Sequence, residues 1–288
     1  MDILVTGATG FIGQHIVPRL RERGDTVIAL ARDERKARRC LWLDGVRFIP
    51  YDLHRDLDDQ TISRFDGIKT VIHLAWSCLS NYEDPCHYEQ NLPAHFRFLK
   101  ALVTHGVDHV LVTGTCLEYG LQSGALAESG PTAPCTAYGM AKDTLHKFLL
   151  LEQDRLSFAL QWARLFYLHG PGQNPRSVLA QLDEAIDRNE PVFNMSGGEQ
   201  LRDYLPVEEA AAYLTALIHQ PRYQGTFNVC SGIPISVRRL VEDQVGKRDS
   251  RIKLNMGYQS YPAYEPMAFW GELGRLAAIR RELGITWR

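Results

Sequence analysis

The chain has 288 residues, of which 45% are hydrophobic and 23% are charged, and its 32 basic and 34 acidic residues give a formal charge of −2. This length can bury a large core, either in one elaborated α/β domain or in two modest domains. The balanced charge argues against a nucleic-acid partner held by long-range electrostatics. No apolar run is long enough to cross a bilayer, so a membrane is not expected as a partner either.

Strand and helix patterns alternate through the first part of the chain. Strands are predicted at 2–6, 26–31, 46–49, 70–74, 108–113 and 157–164, and helices at 11–23, 33–40, 58–64, 87–104 and 136–154. This alternation is typical of βαβ units around a parallel sheet. Several strands are apolar nearly throughout, which indicates that helices cover both faces of that sheet.

The rhythm changes after about residue 165. Helices are predicted near 176–189, 207–219, 236–245 and 272–283, short strands at 191–194, 203–206 and 226–229, and a loop at 249–271. No repeat or low-complexity linker separates the two parts. We therefore expect one domain over 1–165 and, over 166–288, a smaller C-terminal lid that is interleaved with the first domain.

The cysteines and histidines do not form a recognisable framework. The six cysteines, at 40, 78, 86, 116, 135 and 230, include no C-x-x-C pair, and no Cys or His group has zinc spacing. Reduced thiols are therefore expected rather than disulfides, and no metal site is predicted. The sequence opens directly on a strand pattern rather than a signal segment, from which we expect a cytoplasmic protein.

A glycine-rich stretch, "TGATGFIG" at 6–13, joins the first strand to the first helix. Its Gly7, Gly10 and Gly13 could form a phosphate cradle or only a tight turn. The order strand, turn, helix favours the cradle, because the helix N-terminus then faces a pyrophosphate with free N–H groups and a positive dipole end.

The end of the second strand indicates which dinucleotide is bound. An acidic residue is usual there for a ribose hydroxyl, but the chain has Ala31 followed by Arg32, with Arg35 and Lys36 close by. A guanidinium suits a 2′-phosphate, so NADP(H) is favoured over NAD(H). Arg32 could instead be a solvated strand end, and Asp33 keeps NAD(H) possible, although it more naturally caps the following helix.

A third motif, "YGMAK" at 138–142, places a tyrosine and a lysine four residues apart at the start of a long helix. Both side chains therefore project from one face. An ammonium beside a phenol is expected to lower the phenol pKa from about 10 toward neutrality, where Tyr138 could exchange a proton. The strand "HVLVTGTCLEYG" upstream would bring Thr115 to the same place.

With these motifs the sequence resembles the extended short-chain dehydrogenase/reductases, in the branch of nucleotide-sugar epimerases, dehydratases and reductases. The resemblance runs in order through residues 6–232 and also includes "YDL" at 51–53, "HLAW" at 73–76, "ARLFYLHGPGQ" at 163–173, "GGEQLRDYLPVEEAA" at 197–211 and "GTFNVCSG" at 225–232. It implies a Rossmann-type doubly wound parallel sheet with a substrate-binding lid. It also implies a homodimer built on the helices at about 87–104 and 136–154.

The same resemblance implies roles for individual residues. Tyr138 would be the general acid or base, Lys142 would bind the nicotinamide ribose, and Thr115 would hydrogen-bond the reacting oxygen. Asp52 and Leu53 fall where the family contacts adenine. The full set expected to bind the cofactor is Gly7, Gly10, Phe11, Ile12, Gly13, Arg32, Asp52, Leu53, Leu74, Ala75, Thr113, Tyr138 and Lys142.

Three further residues are expected at the sugar nucleotide. Arg202 matches the arginine that usually grips the diphosphate, although an ion pair with Asp203 or Glu199 is the alternative. Trp76 would stack on a sugar or belong to the core, and Cys116 would face the substrate. The aromatic segment at 258–271 could close over the substrate or simply cover the lid.

The reaction is expected to be an oxidoreduction. The family's dehydratases carry Thr-Asp-Glu where this chain has Thr115, Cys116 and Leu117, which cannot eliminate water. Because NADPH favours net reduction, the prediction is a reductase of a nucleotide-linked 4-keto-6-deoxyhexose. A nucleotide-sugar 4-epimerase is the alternative, and a non-catalytic NADP-binding sensor or scaffold is disfavoured because Tyr138 and Lys142 are both present.

Overall fold

The computed structural model describes residues 1–282. Its strands are β1 (Asp2–Thr6), β2 (Thr26–Ala31), β3 (Arg47–Pro50), β4 (Thr70–His73), β5 (His109–Thr115), β6 (Gly124–Leu126), β7 (Ala159–Leu165), β8 (Tyr167–His169), β9 (Val192–Asn194), β10 (Leu201–Pro206), β11 (Gly225–Val229), β12 (Pro234–Ser236), β13 (Lys253–Asn255) and β14 (Phe269–Gly271). Its α-helices are α1 (Gly13–Glu22), α2 (Glu34–Ala37), α3 (Asp59–Ile62), α4 (Leu92–Thr104), α5 (Ala137–Leu156), α6 (Val178–Asp187), α7 (Val207–Ile218), α8 (Val237–Lys247) and α9 (Gly274–Glu282).

The largest sheet in the described part of the chain has seven parallel strands in the order β11-β7-β5-β4-β1-β2-β3. The chain winds from β1 through β2 to β3 on one side and then returns to β4 on the other. This reversal opens a crevice beyond the carboxyl ends of β1 and β4, which is where doubly wound sheets bind their ligands. The predicted Rossmann-type α/β fold is confirmed.

The sheet is buried on both faces because its strands alternate their side chains between two apolar layers. In β1, Ile3 and Val5 join the cluster that contains α1 and α7, whereas Leu4 joins the cluster that contains α4 and α5. Each face is therefore closed by a pair of mutually packed helices. As a result, the first turns of α1 and α5 both lie at the crevice end of the sheet.

The second part of the chain builds smaller layers over that crevice. Strands β12, β10 and β8 form one sheet, β13 pairs with β9, and β14 pairs with β6. Helices α6 and α8 pack together on a separate apolar cluster. Strand β11 pairs with β7 at the edge of the large sheet, so the second part of the chain contributes to the large sheet as well as to the smaller ones.

Several predicted elements need correction. The loop predicted at 249–271 contains β13 and β14, and the strands β6, β8 and β12 were not predicted. Each has three residues, which is too short for an alternation to be recognised, and each exists because a distant strand pairs with it. The final predicted helix, 272–283, is observed as Gly274–Glu282, and residue 283 lies outside the described residues.

The prediction of reduced cysteines was wrong at two positions. Cys78 and Cys86 are joined by a disulfide, while Cys40, Cys116, Cys135 and Cys230 carry free thiols. The segment after β4 folds back on itself and brings the two sulfurs together, which spacing alone did not reveal. Within residues 1–282, no helix is both long enough and apolar enough to cross a membrane.

The first turn of α5 offers a test of local stability. Thr136 caps this helix, because its hydroxyl accepts a 3.0 Å hydrogen bond from the Gly139 amide. Thr136→Ala should lower the free energy of unfolding by about 1 kcal/mol, measured by urea denaturation. Thr136→Ser keeps the acceptor and should remain close to the parent; equal losses in both variants would contradict the capping role.

Candidate active site

The glycine loop lies at the carboxyl end of β1 and touches the end of β4. Gly7 has φ of +67°, and a Cβ there would lie 2.7 Å from the Ala75 amide nitrogen. Its carbonyl accepts a 2.8 Å bond from the Gly10 amide, which closes the turn before α1. Only glycine fits here, because a side chain at this position would collide with the backbone of Leu74 and Ala75 after β4.

A cavity of about 490 Å³ opens over this loop. Most of the predicted cofactor residues line it, and so does Trp76; they are Gly7, Gly10, Phe11, Ile12, Gly13, Arg32, Asp52, Leu53, Leu74 and Ala75. The predicted residues Thr113, Tyr138 and Lys142 lie beyond it, in the catalytic cluster described below. The glycine loop and the cations Arg32 and Lys36 in this lining are groups that would hold the phosphates of a dinucleotide.

Ala31, Asp33 and Lys36, which the sequence analysis considered at the end of β2, also line the cavity. The lining residues that the sequence did not indicate are Thr9, Leu30, Tyr51, His54, Ser77, Leu79 and His95. Most are sequence neighbours of predicted residues and follow once the ends of β1, β2, β3 and β4 are known to face one space. His95 comes from α4 and had no local signal.

One end of the cavity is basic. Arg32 and Lys36 line it and are both exposed. The Asp33 carboxylate accepts a 3.0 Å bond from the Lys36 amide and so caps α2. One oxygen of the acid is therefore engaged by the helix, and Asp33 lines the cavity together with the two cations.

Lys142 is the buried cation of the catalytic cluster, with 1% of its surface exposed. Its Nζ donates a 2.7 Å hydrogen bond to the Thr113 carbonyl and lies 4.1 Å from the centroid of the Trp76 ring. Burial lowers the pKa of Lys142 to about 7, and the negative charge of Glu118 opposes that shift. The ammonium is thus held by a carbonyl and an aromatic face.

Tyr138 lies one turn before Lys142 and is only partly exposed. Its amide donates a 2.9 Å bond to the Tyr82 carbonyl, and the two rings stack with centroids 5.3 Å apart. Burial, followed by Tyr82 and Glu118, raises the pKa of Tyr138 well above its usual value, although the Thr115 hydroxyl bonds the phenol and lowers it. The expected lowering of this pKa was wrong, because desolvation dominates.

Thr115 is fixed from both sides. Its hydroxyl accepts a 3.3 Å bond from the Leu117 amide, and its own amide donates a 2.8 Å bond to Glu118. Glu118 is fully buried and also accepts a 2.7 Å bond from Arg164 Nε. A Cβ on Gly139 would lie 2.7 Å from the Leu117 carbonyl, so this glycine lets α5 approach Thr115.

Trp76 lies between the cavity and the catalytic cluster. Its ring is 4.6 Å from the ring of His95, and its Nε1 donates a 3.0 Å bond to His87. His95 in turn bonds His73 at 2.7 Å, and His73 bonds the Thr6 hydroxyl at 3.0 Å. Burial lowers the pKa of His73 to about 3, and the charge of Lys142 acts in the same direction. Burial also lowers the pKa of His95, so both histidines are neutral at neutral pH.

The predicted substrate residues Cys116 and Arg202 are both buried. Arg202 is paired with Glu265, at 2.8 Å from Nη2 and 3.2 Å from Nε, and Glu265 also accepts a bond from Tyr167. The alternative pairing with Asp203 or Glu199 was wrong. A substrate phosphate would have to displace Glu265 from this guanidinium.

Comparison with known proteins identifies the family. The model of the NAD dependent epimerase/dehydratase family matches residues 3–230, which is most of the chain. The chain belongs to this family.

Two curated relatives and one solved structure show which kinds of family member the chain resembles. It is 29% identical to dTDP-6-deoxy-L-talose 4-dehydrogenase (NAD(+)) of Aggregatibacter actinomycetemcomitans, over 94% of this chain and 99% of that protein. It is 30% identical to UDP-glucose 4-epimerase of Halalkalibacterium halodurans, over 84% and 79%. MoeE5, solved with UDP-glucose and NAD, is 27% identical over 100% of this chain and 94% of that one, with a TM-score of 0.84.

This family member is thus related to nucleotide-sugar 4-dehydrogenases, reductases and epimerases. The resemblance on which the sequence prediction depended is confirmed, as is the prediction of an NAD(P)-dependent enzyme. The roles given to individual residues remain predictions, which the following variants test.

Removal of one hydroxyl tests the role of Tyr138. Tyr138→Phe should bind cofactor normally but lose turnover by about two to four orders of magnitude, the usual contribution of a positioned acid or base. Cofactor titration and steady-state kinetics measure the two effects. Tyr223→Phe, which removes a hydroxyl bonded to Glu282 far from the cavity, should keep full turnover. Unchanged activity in Tyr138→Phe would remove this residue from catalysis.

The pKa of Lys142 predicts a pH profile. The side chain is charged below about 7 and neutral above it, so kcat/KM should fall as pH rises through that value. An arginine cannot lose its charge in this range, so any activity retained by Lys142→Arg should lack this alkaline decline. A parent profile that stays flat well above neutral pH would contradict the assignment.

Proposed function

We propose that the protein is an NADPH-dependent reductase of a nucleotide-linked 4-keto-6-deoxyhexose. The observation that carries the proposal is the grouping of Tyr138, Lys142 and Thr115 beyond the cavity of about 490 Å³, with Trp76 lining the cavity and contacting Lys142. The relative that matches nearly the full length of both chains is a 4-dehydrogenase of a dTDP-linked 6-deoxy sugar. Reduction at C4 is the reverse of that reaction.

The cluster contains the proton donor that reduction of a carbonyl would need. A carbonyl oxygen that becomes an alkoxide needs a proton, and the raised pKa of Tyr138 keeps its phenol protonated at neutral pH. A nicotinamide cofactor in the cavity would supply the hydride to the sugar carbon. Thr115 has one hydroxyl hydrogen, which would turn from the phenol to the developing oxyanion. Lys142 would hold the ribose and stabilise the phenolate that remains.

Elimination of water is disfavoured at the same site. A dehydratase needs a further acid and base next to Thr115, and this chain has Cys116 and Leu117 there. Cys116 is buried, and burial raises the pKa of its thiol well above the usual value. It would therefore remain neutral, and Leu117 has no proton to exchange.

The cofactor preference rests on the basic end of the cavity. Arg32 and Lys36 could both bind a 2′-phosphate, while Asp33 is engaged as the cap of α2. The 4-dehydrogenase of Aggregatibacter actinomycetemcomitans carries NAD(+) in its name, and MoeE5 was solved with NAD. NADPH is therefore proposed on the residues of this chain alone.

Two substitutions test this preference. Arg32→Ala and Lys36→Ala should each weaken NADPH binding by roughly tenfold or more, since a hydrogen bond to a charged group contributes about 1.5–3 kcal/mol. NADH binding should be unchanged in both. Arg38→Ala removes an exposed cation that is paired with Glu34, and it serves as the matched control. Tighter binding of NADH than of NADPH by the parent would reject the proposal.

The 4-epimerase is a second candidate, because a UDP-glucose 4-epimerase is 30% identical to this chain. Two assays separate these candidates, one with NADPH and a dTDP-linked 4-keto-6-deoxyhexose, and one with UDP-glucose and a nicotinamide cofactor. Stoichiometric loss of NADPH supports the reductase. Interconversion of UDP-glucose and UDP-galactose with no net change in cofactor would favour the epimerase instead.

A further inference from the structure

The segment after β4 forms a closed covalent ring next to the catalytic cluster. The disulfide between Cys78 and Cys86 encloses residues 78–86, which we name the 78–86 loop. Cys78 adopts φ of +62°, a left-handed conformation that glycine adopts more readily than a residue with a side chain. Cys78 is half-buried and Cys86 is buried.

The middle of the 78–86 loop makes the direct contact with catalysis. Tyr82 accepts the amide hydrogen of Tyr138 through its carbonyl, and it stacks its ring on the same residue. On its other side Tyr82 meets the ring of Tyr264 edge to face, with centroids 6.1 Å apart. Arg176 also donates a 3.0 Å bond to the Ser80 carbonyl. The loop therefore joins the catalytic tyrosine to the segments that cover the crevice.

The two ends of the loop are anchored near the cavity. His87 bonds the Asn81 carbonyl at 2.9 Å through Nε2 and accepts the Trp76 indole hydrogen through Nδ1. Asn91 accepts a 2.6 Å bond from Ser77 and directs its amide at the sulfur of Cys86. With the ends held in this way, the disulfide limits how far Tyr82 can move from Tyr138.

We propose that Cys78 and Cys86 form a reversible thiol–disulfide site that orders the wall of the active site around Tyr138. The oxidised form holds Tyr82 against the catalytic ring. The reduced form frees the 78–86 loop, so that the Tyr82 contact is made for only part of the time. The inference adds to the proposed function and rests on it only where sugar turnover is measured.

The redox step needs a dithiol as its partner. A thiolate of the dithiol attacks one sulfur of the disulfide and forms a mixed disulfide, with the other cysteine leaving as a thiolate. The second thiol of the partner then displaces the remaining cysteine. In total the Cys78–Cys86 bond gains two electrons and two protons, and the dithiol is oxidised to its own disulfide.

Loosening the loop should affect sugar chemistry more than cofactor binding. The phosphate cradle at Gly7 and the cations Arg32 and Lys36 lie outside the loop, whereas Tyr138 loses its stacked partner. A catalytic group that is displaced by even a small distance can lose much of its rate contribution. We therefore expect reduction to lower kcat/KM for the keto sugar by roughly tenfold to a hundredfold.

The test begins with the state of the cysteines and needs no substrate. Full-length protein treated with oxidised glutathione should yield a linked Cys78–Cys86 peptide, and treatment with dithiothreitol should release both thiols. Hydrogen exchange at the Tyr138 amide, which bonds Tyr82, should then become faster. Two free thiols after oxidation, or equal exchange in both states, would overturn the inference.

Kinetics of substituted proteins provide the second arm. Cys78→Gly suits the left-handed backbone and removes the bond, so it should resemble the reduced parent and ignore dithiothreitol; Cys86→Ser should do the same. Cys40→Ser removes a thiol outside the loop and should respond like the parent. If reduction speeds exchange at Tyr138 but no form reduces the sugar, the proposed function fails and the ordering role stands. If reduction leaves kcat/KM unchanged or raises it in an active enzyme, the ordering role fails.

Discussion

The burial of one ammonium group constrains most of this active site. Lys142 is almost completely enclosed, and its direct partners are the Thr113 carbonyl and the face of Trp76 rather than a carboxylate. An enclosed charge is tolerated only where such partners replace water. Thr113 lies on β5 just beyond Val112, the last residue that pairs with β4, and Trp76 lies in the segment that follows β4. The Thr113 carbonyl and the Trp76 ring thus replace part of the hydration that the ammonium loses on burial.

Other buried polar groups are arranged so that they add little net charge near this ammonium. The Glu118 carboxylate is balanced by Arg164, yet it still opposes the loss of the proton from Lys142. The histidine chain from Thr6 through His73 to His95 links the glycine loop to α4 while remaining neutral, since burial holds the pKa of His73 at about 3. A charged histidine there would repel Lys142. The polar network can therefore fix positions at both ends of the cavity at little electrostatic cost.

The sequence predicted what depends on local spacing and missed what depends on distant contact. The glycine turn, the Tyr138–Lys142 pair and the alternation of strands and helices are each readable within a few residues, and they were sufficient for the fold and for most of the cavity. The pairing of Arg202 with Glu265 joins positions 63 residues apart, and the three-residue strands form only against distant partners. The Tyr138 pKa was predicted in the wrong direction because the motif contains the lysine but not the rings that desolvate the phenol.

That desolvation also bears on how Tyr138 would exchange a proton. A phenol whose pKa is raised donates a proton more weakly than a phenol with a lowered pKa, but it is fully protonated when the carbonyl arrives. In the oxidative direction the same residue must first lose its proton in a site where burial disfavours the anion. A charged Lys142 one turn away offsets part of that penalty, and with a pKa of about 7 it does so only at neutral pH and below. The charge of Lys142, with its pKa of about 7, therefore sets the pH range over which it can act on the Tyr138 phenol, in whichever direction the proton moves.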